Sequence, residues 1–315
     1  MPGTGLAADP NVTRHDGGPG HPEQPARFSV VINRLESTGL MLDLIRLPVR
    51  SATDNELTLV HTRDYLELVN REASLGRHQL STGDTDVCPD SSDVARRAAG
   101  CALCAVDAVF SDTVENAFCV IRPPGHHASA ARGMGFCLFN NVALAARYAQ
   151  HKYAAERVVI ADWDVHHGNG TQDIFYEDGR VLFFSTHQSP WYPGTGDAIE
   201  SGEGAGAGKT INCPFPAGTG RTEILGAFRE RLLPAAREFR PDLVLLSAGF
   251  DSRAGDPLGH FLLADSDFHE LTCMMTDLAA DCCNDRLVSV LEGGYNLAGL
   301  ALATEAHVRG LLGEG

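Results

Sequence analysis

The chain contains five short apolar runs, and each run ends in polar or glycine-rich residues. The runs are Ala117–Ile121, Val158–Ala161, Val181–Phe184, Leu243–Leu246 and Val288–Leu291. Strands that are buried on both faces are apolar at consecutive positions, as in parallel sheets covered by helices on both sides. The pattern therefore predicts five buried parallel strands.

Longer segments with the apolar spacing of helices lie between and after these runs. They are Ser92–Val109, Asn141–His151, Thr222–Phe239, Asp265–Cys282 and Leu297–Leu312. A serine and a threonine cap the first and third segments, and Pro234 predicts a kink or break in the third. Alternating strands and helices indicate an α/β fold with a parallel sheet. In such sheets ligands bind beyond the carboxyl ends of the strands.

The sequence shows no boundary between domains. No repeat with a period of 20–50 residues is evident, and the glycine-rich stretch 202–208 is short enough to be a loop. A hydrophobic content of 43% and a charged content of 21% are ordinary for a globular chain. We predict a single domain over residues 1–315, with residues 1–14 as a loosely ordered N-terminal segment.

Charge and composition limit the partners and the compartment. The formal net charge of −16 argues against a nucleic-acid partner, which requires a basic surface. No apolar run approaches the roughly 18 residues of a membrane span. Residues 1–25 lack the basic and apolar regions of a signal peptide, and the nine cysteines lack the spacing of a small secreted domain. We predict a cytoplasmic protein, whose oligomeric state stays open.

Two of the strand ends carry residues that suit a metal. Asp162, Asp164 and His166 occupy alternate positions after one predicted strand, and Asp251 follows another. Two carboxylates and one imidazole would leave coordination room for water and substrate, which is the arrangement of a catalytic zinc site. The alternative is that these side chains only cap loops and helices.

Two further strand ends carry candidates for proton transfer and for carbonyl activation. His126 and His127 follow Arg-Pro-Pro-Gly, and histidine can act as base and acid near neutral pH. Tyr295 follows Glu-Gly-Gly, where it could donate a hydrogen bond to an oxyanion. Alone, the histidines could be surface residues and the tyrosine a packing residue.

Together these clusters resemble the motifs of the histone deacetylase superfamily. The similar segments occur in that family's order over about residues 15 to 296. They are His21–Glu23, Val60–Thr62, Arg122–Ala128, Gly135–Asn141, Asp162–Gly170, Ser247–Asp251 with Gly255–Gly259, and Glu292–Asn296. The Arg-Pro-Pro-Gly-His-His and Phe-Asn-Asn forms resemble the class II branch and its bacterial relatives. The resemblance implies an arginase/deacetylase fold, an eight-stranded parallel sheet flanked by helices.

The resemblance also implies roles for individual residues at the reaction centre. One zinc ion, or ferrous iron as the alternative, would be held by Asp164, His166 and Asp251. His127 would be the general base and acid, His126 an electrostatic partner of the transition state, and Tyr295 the group that polarises the carbonyl. Two further residues would orient the histidines, Asp162 for His126 and Asn169 for His127.

The resemblance implies a substrate channel and potassium sites as well. The channel would be lined by Gly135, Phe136, Tyr192 (where the family usually has phenylalanine) and Leu258. Structural potassium ions would be held mainly through backbone carbonyls. One site would use Asp162, Asp164, His166, Ser185 and Thr186, and part of a second would use Phe175, Asp178 and Val181.

We therefore expect metal-dependent hydrolysis of the amide of acetyl-lysine or a related N-acyl amine, in a peptide or a small molecule. By the same resemblance, Leu258 stands where polyamine-selective relatives carry glutamate, which favours acetyl-lysine over acetylpolyamines. Three alternatives remain: an acetylpolyamine amidohydrolase, a binuclear manganese ureohydrolase and a non-catalytic acyl-lysine binding protein. The ureohydrolase would need further aspartates where the chain has Gly168 and Arg253. Five isolated histidines are expected at the surface: His15, His78, His151, His269 and His307.

Overall fold

A sheet of eight parallel strands forms the centre of the structure. The computed structural model describes residues 3–314, and its strands run in the order β2-β1-β3-β8-β7-β4-β5-β6. Every neighbouring pair is parallel. The strands are β1 (Gly3–Ala8), β2 (Ile45–Arg46), β3 (Val114–Val120), β4 (Val158–Asp162), β5 (Val181–Gln188), β6 (Thr210–Phe215), β7 (Leu243–Ala248) and β8 (Leu287–Leu291).

Helices cover both faces of this sheet. They are α1 (Ala26–Ser37), α2 (Asp54–Leu57), α3 (Arg63–Ser74), α4 (Ser91–Phe110), α5 (Asn141–Tyr153), α6 (Asn169–Phe175), α7 (Arg221–Ala227), α8 (Leu233–Phe239), α9 (Asp265–Cys283) and α10 (Leu297–Leu311). The predicted eight-stranded parallel sheet flanked by helices is confirmed. No helix between residues 3 and 314 has the length and apolar character needed to cross a bilayer.

The five strands predicted from apolar runs are β3, β4, β5, β7 and β8. In β4, Val159 and Ala161 pack into one apolar core, while Val158 and Ile160 pack into the other. The same alternation between two cores explains why these strands carry apolar residues at consecutive positions over much of their length. At the kink or break predicted for Pro234, the helical backbone continues but changes its pitch just before the proline. A wider helical turn over Phe228–Leu232 separates α7 from α8, and Pro234 lies in the first turn of α8.

The N-terminal segment differs from the prediction of loose order over residues 1–14. Residues 3–8 form β1, which pairs with β2 and β3 inside the sheet, and residues 10–14 form a short helical turn. Leu6 and Val12 are buried. The sequence did not reveal this order because β1 (Gly-Thr-Gly-Leu-Ala-Ala) has a single large apolar residue and pairs with β3, more than 100 residues away. Residues 1 and 2 lie outside the described residues.

Two of the isolated histidines are buried, so the prediction that they lie at the surface is wrong. His307 Nδ1 lies 2.7 Å from the hydroxyl of Thr272, and its Nε2 lies 2.8 Å from the hydroxyl of Ser289. His15 Nδ1 lies 2.7 Å from the hydroxyl of Ser91. Each ring is enclosed because other elements supply its hydrogen-bonding partners. His78 and His151 are exposed as predicted, and His269 is half-buried.

Candidate metal and catalytic site

Sheet order brings the four polar clusters together. Strands β3, β8, β7 and β4 are consecutive neighbours in the sheet although they are not consecutive in the chain. Their carboxyl ends lead into the segments that carry His126 and His127, Tyr295, Asp251, and Asp164 with His166, respectively. Parallel strands end at the same edge, so all four clusters meet there.

Asp164, His166 and Asp251 form a compact buried group. Each offers one ligand atom, and these atoms lie within 4.8 Å of one another. His166 Nδ1 is 2.9 Å from Asp164 Oδ1 and 3.2 Å from Asp251 Oδ2. Backbone amides orient both carboxylates, because Gly293 N donates to Asp164 Oδ2 at 2.8 Å and Val165 N donates to Asp251 Oδ1 at 2.9 Å. A Cβ on Gly293 would overlap both carboxylates, so glycine is needed for this close approach.

The electrostatics of this group fit a cation. Burial, followed by the negative charge of Asp164, raises the pKa of Asp251 to about 7. Within residues 3–314, Asp251 Oδ2 is buried and accepts no hydrogen bond of normal geometry. Two adjacent buried carboxylates and an imidazole are an oxygen and nitrogen donor set that suits a divalent metal such as zinc. These three residues could therefore hold a metal ion.

His126 and His127 lie beside this group with different partners. His126 Nδ1 is 3.0 Å from Asp162 Oδ2, and His127 Nδ1 is 2.8 Å from Asn169 Oδ1. The amide oxygen can only accept, so His127 Nδ1 donates and its Nε2 is left as an acceptor.

The two histidines also have opposite pKa shifts. Burial alone would lower the pKa of His126, but the carboxylates of Asp164 and Asp162 outweigh it and raise the pKa to about 10. Burial and the charge of neighbouring His126 hold the pKa of His127 well below its usual value. The pair can thus provide one cation and one neutral proton acceptor.

A cavity of about 250 Å³ leads to these groups. Seven of its lining residues are predicted site residues: His127, Gly135, Phe136, His166, Tyr192, Leu258 and Tyr295. Asp84 and Trp191 also line it and are absent from the predicted site. Trp191 directly precedes Tyr192 in the chain, and this adjacency is a signal that could have revealed it.

The cavity wall depends on an unusual backbone. Gly135 and Phe136 have φ values of 56° and 67°, and a Cβ on Gly135 would overlap the ring of His127. A positive φ is rare for a residue such as phenylalanine, and such conformations are concentrated at ligand sites. The ring of Phe136 packs edge-on against His21 and Tyr295, with centroid distances of 4.8 and 5.7 Å. Tyr192 lies edge-on to His127 at 5.3 Å.

Tyr295 lines the same cavity as His166, and its neutral hydroxyl can donate a hydrogen bond there. Burial raises the pKa of its hydroxyl well above the usual value. Its backbone N donates to Asp256 Oδ2 at 2.7 Å, and the guanidinium of Arg27 lies 4.9 Å from the centre of its ring. Asp256 therefore holds the backbone of Tyr295, and Arg27 packs against its ring.

The residues of the predicted potassium sites fall into two places. Asp162, the last residue of β4, is the register partner of Ser185 within β5. Phe175, Asp178 and Val181 lie around the start of β5, where Asp178 N donates to the carbonyl of Phe175 at 2.9 Å. Both potassium sites stay predictions.

Comparison with known proteins gives matches over most of the chain. A family model described as "Histone deacetylase domain" matches residues 21–311. The chain is 41% identical to Histone deacetylase 6 of Caenorhabditis elegans and 42% identical to Polyamine deacetylase HDAC10 of Homo sapiens, over 91% and 93% of its length. It is 39% identical to a probable deacetylase of Archaeoglobus fulgidus over 94% of its length.

The fraction of each relative's own length that this chain matches differs among the three proteins. The chain spans 31% of the nematode protein, 45% of the human protein and 82% of the archaeal protein. A crystal structure of the HDA15 HD domain superposes with a TM-score of 0.94 at 37% identity. That match covers 100% of this chain and 89% of the other.

Proposed function

This chain belongs to the histone deacetylase family, and on that premise we propose that it is a zinc-dependent deacylase. Its substrate is acetyl-lysine or a related N-acyl amine, and its products are a carboxylate and a free amine. The observation that carries this proposal is the buried group of Asp164, His166 and Asp251 beside a cavity that also exposes His127 and Tyr295. We further propose that residues 1–315 act as one deacetylase domain.

The donor set supports zinc. Asp164, His166 and Asp251 would hold the ion, and ferrous iron is the alternative because it accepts the same donors. When bound by such residues, a zinc ion supplies Lewis acidity that polarises a carbonyl and activates water. Potassium at the two sites described above belongs to the same proposal.

His127 would transfer the proton. Its Nδ1 is committed to Asn169, so Nε2 accepts a proton from the attacking water and then delivers it to the amine that leaves. Asn169 keeps the ring in the tautomer that this requires. His126, held by Asp162, would add positive charge beside the reacting carbonyl.

Tyr295 would stabilise the oxyanion. Its hydroxyl is protonated at neutral pH, and burial raises its pKa further, so it can donate to the carbonyl oxygen as negative charge develops. Asp256 and Arg27 fix the backbone and the ring, which prepares the donor before substrate binds.

The lining of the cavity supports a substrate with an alkyl chain. Gly135, Phe136 and Tyr192 would contact the chain that carries the acyl group, and Leu258 would present an apolar rim. This rim suits the backbone and neutral side chains of a peptide better than the distal ammonium of a polyamine. Acetyl-lysine is therefore the favoured substrate.

Acetylpolyamine is a second candidate. Asp84 places one carboxylate at the same cavity, and the human relative at 42% identity is named a polyamine deacetylase. A non-catalytic acyl-lysine binding protein is disfavoured, because such a protein could dispense with the histidine pair or Tyr295, and this chain retains all of them.

The test compares N-acetyl-lysine peptides with acetylpolyamines on a single zinc-loaded preparation. We expect release of acetate from at least one class and inhibition by a hydroxamate, which chelates zinc through two oxygens. A preparation with stoichiometric zinc that hydrolyses neither class and ignores high hydroxamate concentrations would contradict the proposal.

A further inference from the structure

Glu292 is a buried carboxylate to which the proposed reaction gives no role. It follows β8 directly, three residues before Tyr295, and its exposed fraction is 0%. Within residues 3–314, no lysine, arginine or histidine nitrogen lies within 4.0 Å of its carboxylate. Burial of a carboxylate without a cationic partner is unfavourable, so its hydrogen bonds must compensate.

Those hydrogen bonds connect Glu292 to the loop that carries both catalytic histidines. Its Oε2 accepts from the backbone N of Gly125 at 2.6 Å and from the backbone N of His126 at 3.1 Å. Its Oε1 is 3.2 Å from the hydroxyl of Ser247 at the end of β7. One side chain therefore ties the His126–His127 loop to the ends of two central strands.

These hydrogen bonds of Glu292 complete the positioning of the imidazoles of His126 and His127. Asp162 and Asn169 bind the Nδ1 atoms of His126 and His127, but a ring bound at one atom can still shift with its backbone. Glu292 restrains that backbone at the residue before the pair and at its first member. Without it, two buried N–H groups would lack acceptors, and the loop would have to move to satisfy them.

We infer that Glu292 is a positioning residue for deacylation, which holds His126 and His127 in their reactive places through the backbone of their loop. This inference rests on the proposed function, because that function assigns proton transfer to His127.

The contact does not depend on a negative charge. Burial, with smaller contributions from Asp162 and Asp164, raises the pKa of the Glu292 carboxyl to about 7. A protonated carboxyl, or a glutamine amide, still presents one oxygen to the two N–H groups and can donate to Ser247 from the other atom. Glutamine should therefore be able to perform the role of Glu292, whereas alanine should not.

The kinetic test compares Glu292→Gln and Glu292→Ala, both loaded with zinc. A displaced catalytic group costs on the order of 10²-fold, so we expect that loss in kcat for Glu292→Ala, with KM and zinc content retained. We expect Glu292→Gln to stay within about threefold of the wild type. The matched control is Asp267→Ala, a buried carboxylate that accepts a backbone N–H at 2.9 Å away from the cavity and should leave kcat unchanged.

Hydrogen exchange provides a readout that is independent of activity. The amides of Gly125 and His126 should exchange slowly in the wild type and in Glu292→Gln, and roughly tenfold faster or more in Glu292→Ala. If Glu292→Ala does not fold, Glu292→Asp takes its place. The shorter aspartate keeps the carboxylate but moves its oxygen away from the backbone N–H groups of Gly125 and His126.

Three results would overturn the inference. The first is a kcat for Glu292→Ala within about threefold of the wild type. The second is a Glu292→Gln variant that is as impaired as Glu292→Ala although both retain zinc. The third is a loss of zinc from Glu292→Ala. A loss of zinc would show that Glu292 instead supports the proposed zinc ligands. An inactive wild type would contradict the proposed function and this inference with it, whereas an active wild type with an unimpaired alanine variant would contradict the inference alone.

Discussion

The side-chain oxygen of Asn169 accepts a hydrogen bond from Nδ1 of His127 at 2.8 Å. The same amide donates toward the sulfur of Met134, with 3.4 Å between Nδ2 and Sδ, which fixes which end of the amide faces the imidazole. The resulting tautomer leaves His127 Nε2 free to accept a proton at the cavity.

Replacement of Asn169 should therefore slow the reaction. Outer groups that orient the ligands of metal sites typically contribute 10–100-fold, and by analogy we expect a loss of roughly that size in kcat for Asn169→Ala. In Asn169→Asp, the added negative charge should raise the pKa of His127. The base must be neutral, so the acid limb of the kcat/KM profile should move to higher pH. If the acid limb of the kcat/KM profile of Asn169→Asp lies at the same pH as that of the wild type, another group is the base.

Removal of Asp251 should remove the metal. Only Asp164 and His166 would remain as protein ligands, and we expect Asp251→Ala to lose both bound zinc and activity. Elemental analysis after dialysis measures the zinc, with the exposed Asp112→Ala as the control. Stoichiometric zinc in Asp251→Ala would refute the ligand assignment.

Removal of the Tyr295 hydroxyl should slow the chemical step and leave the fold intact. Loss of one oxyanion donor costs on the order of 10²–10³ in kcat, and Tyr295→Phe should lose that much with its zinc content unchanged. Activity within about threefold of the wild type would show that another group stabilises the oxyanion.

The buried His307 should make stability depend on pH. Burial lowers the pKa of His307 to about 3, whereas an unfolded histidine has a pKa of about 6.5. Between these values the unfolded state binds more protons, so the free energy of unfolding should fall as the pH drops from about 6.5 to 3. The contribution of the neutral His307 side chain to the free energy of unfolding is fully present above pH 6.5 and is lost progressively below it.

A variant without the imidazole isolates this effect. The difference in free energy of unfolding between the wild type and His307→Gln should shrink by several kcal/mol across that window, at about 1.4 kcal/mol per unit of pKa. The exposed His78→Gln should show no such trend. A difference for His307→Gln that does not change with pH would contradict the prediction.

Leu258 should influence the choice of substrate. We expect a higher kcat/KM for acetyl-lysine peptides than for acetylated putrescine or spermidine, because an apolar rim offers no partner for a distal ammonium. Leu258→Glu should move the ratio toward the polyamines. A wild-type ratio that favours an acetylpolyamine by about tenfold or more would contradict this, and Asp84 and Asp86 would then be the acidic residues to replace first.

Much of the fold and most of the candidate site could be predicted from the sequence. Strands β3, β4, β5, β7 and β8 are identifiable because burial on both faces requires apolar residues at consecutive positions. The polar residues that end four of these strands were identifiable for the same reason, since each interrupts an apolar run. The family resemblance drawn from them is confirmed. Their separate roles at the metal and in proton transfer stay proposals.

Other features depended on partners that are distant in the chain. β1 has a single large apolar residue, and its place in the sheet follows from pairing with β3. His307 is buried because Thr272 and Ser289 bind both of its ring nitrogens. Glu292 is informative only beside Gly125, which lies 167 residues away.

The sequence alone therefore determined five of the eight strands and which residues at their ends can do chemistry, because local apolar patterns report burial directly. Only the tertiary structure decided that β3, β8, β7 and β4 are neighbours, and hence that His127, His166 and Tyr295 face one cavity with Asp251 beside His166. The order of strands in a sheet is set by packing and hydrogen bonding between segments that are distant in the chain, and no local pattern of residues encodes it.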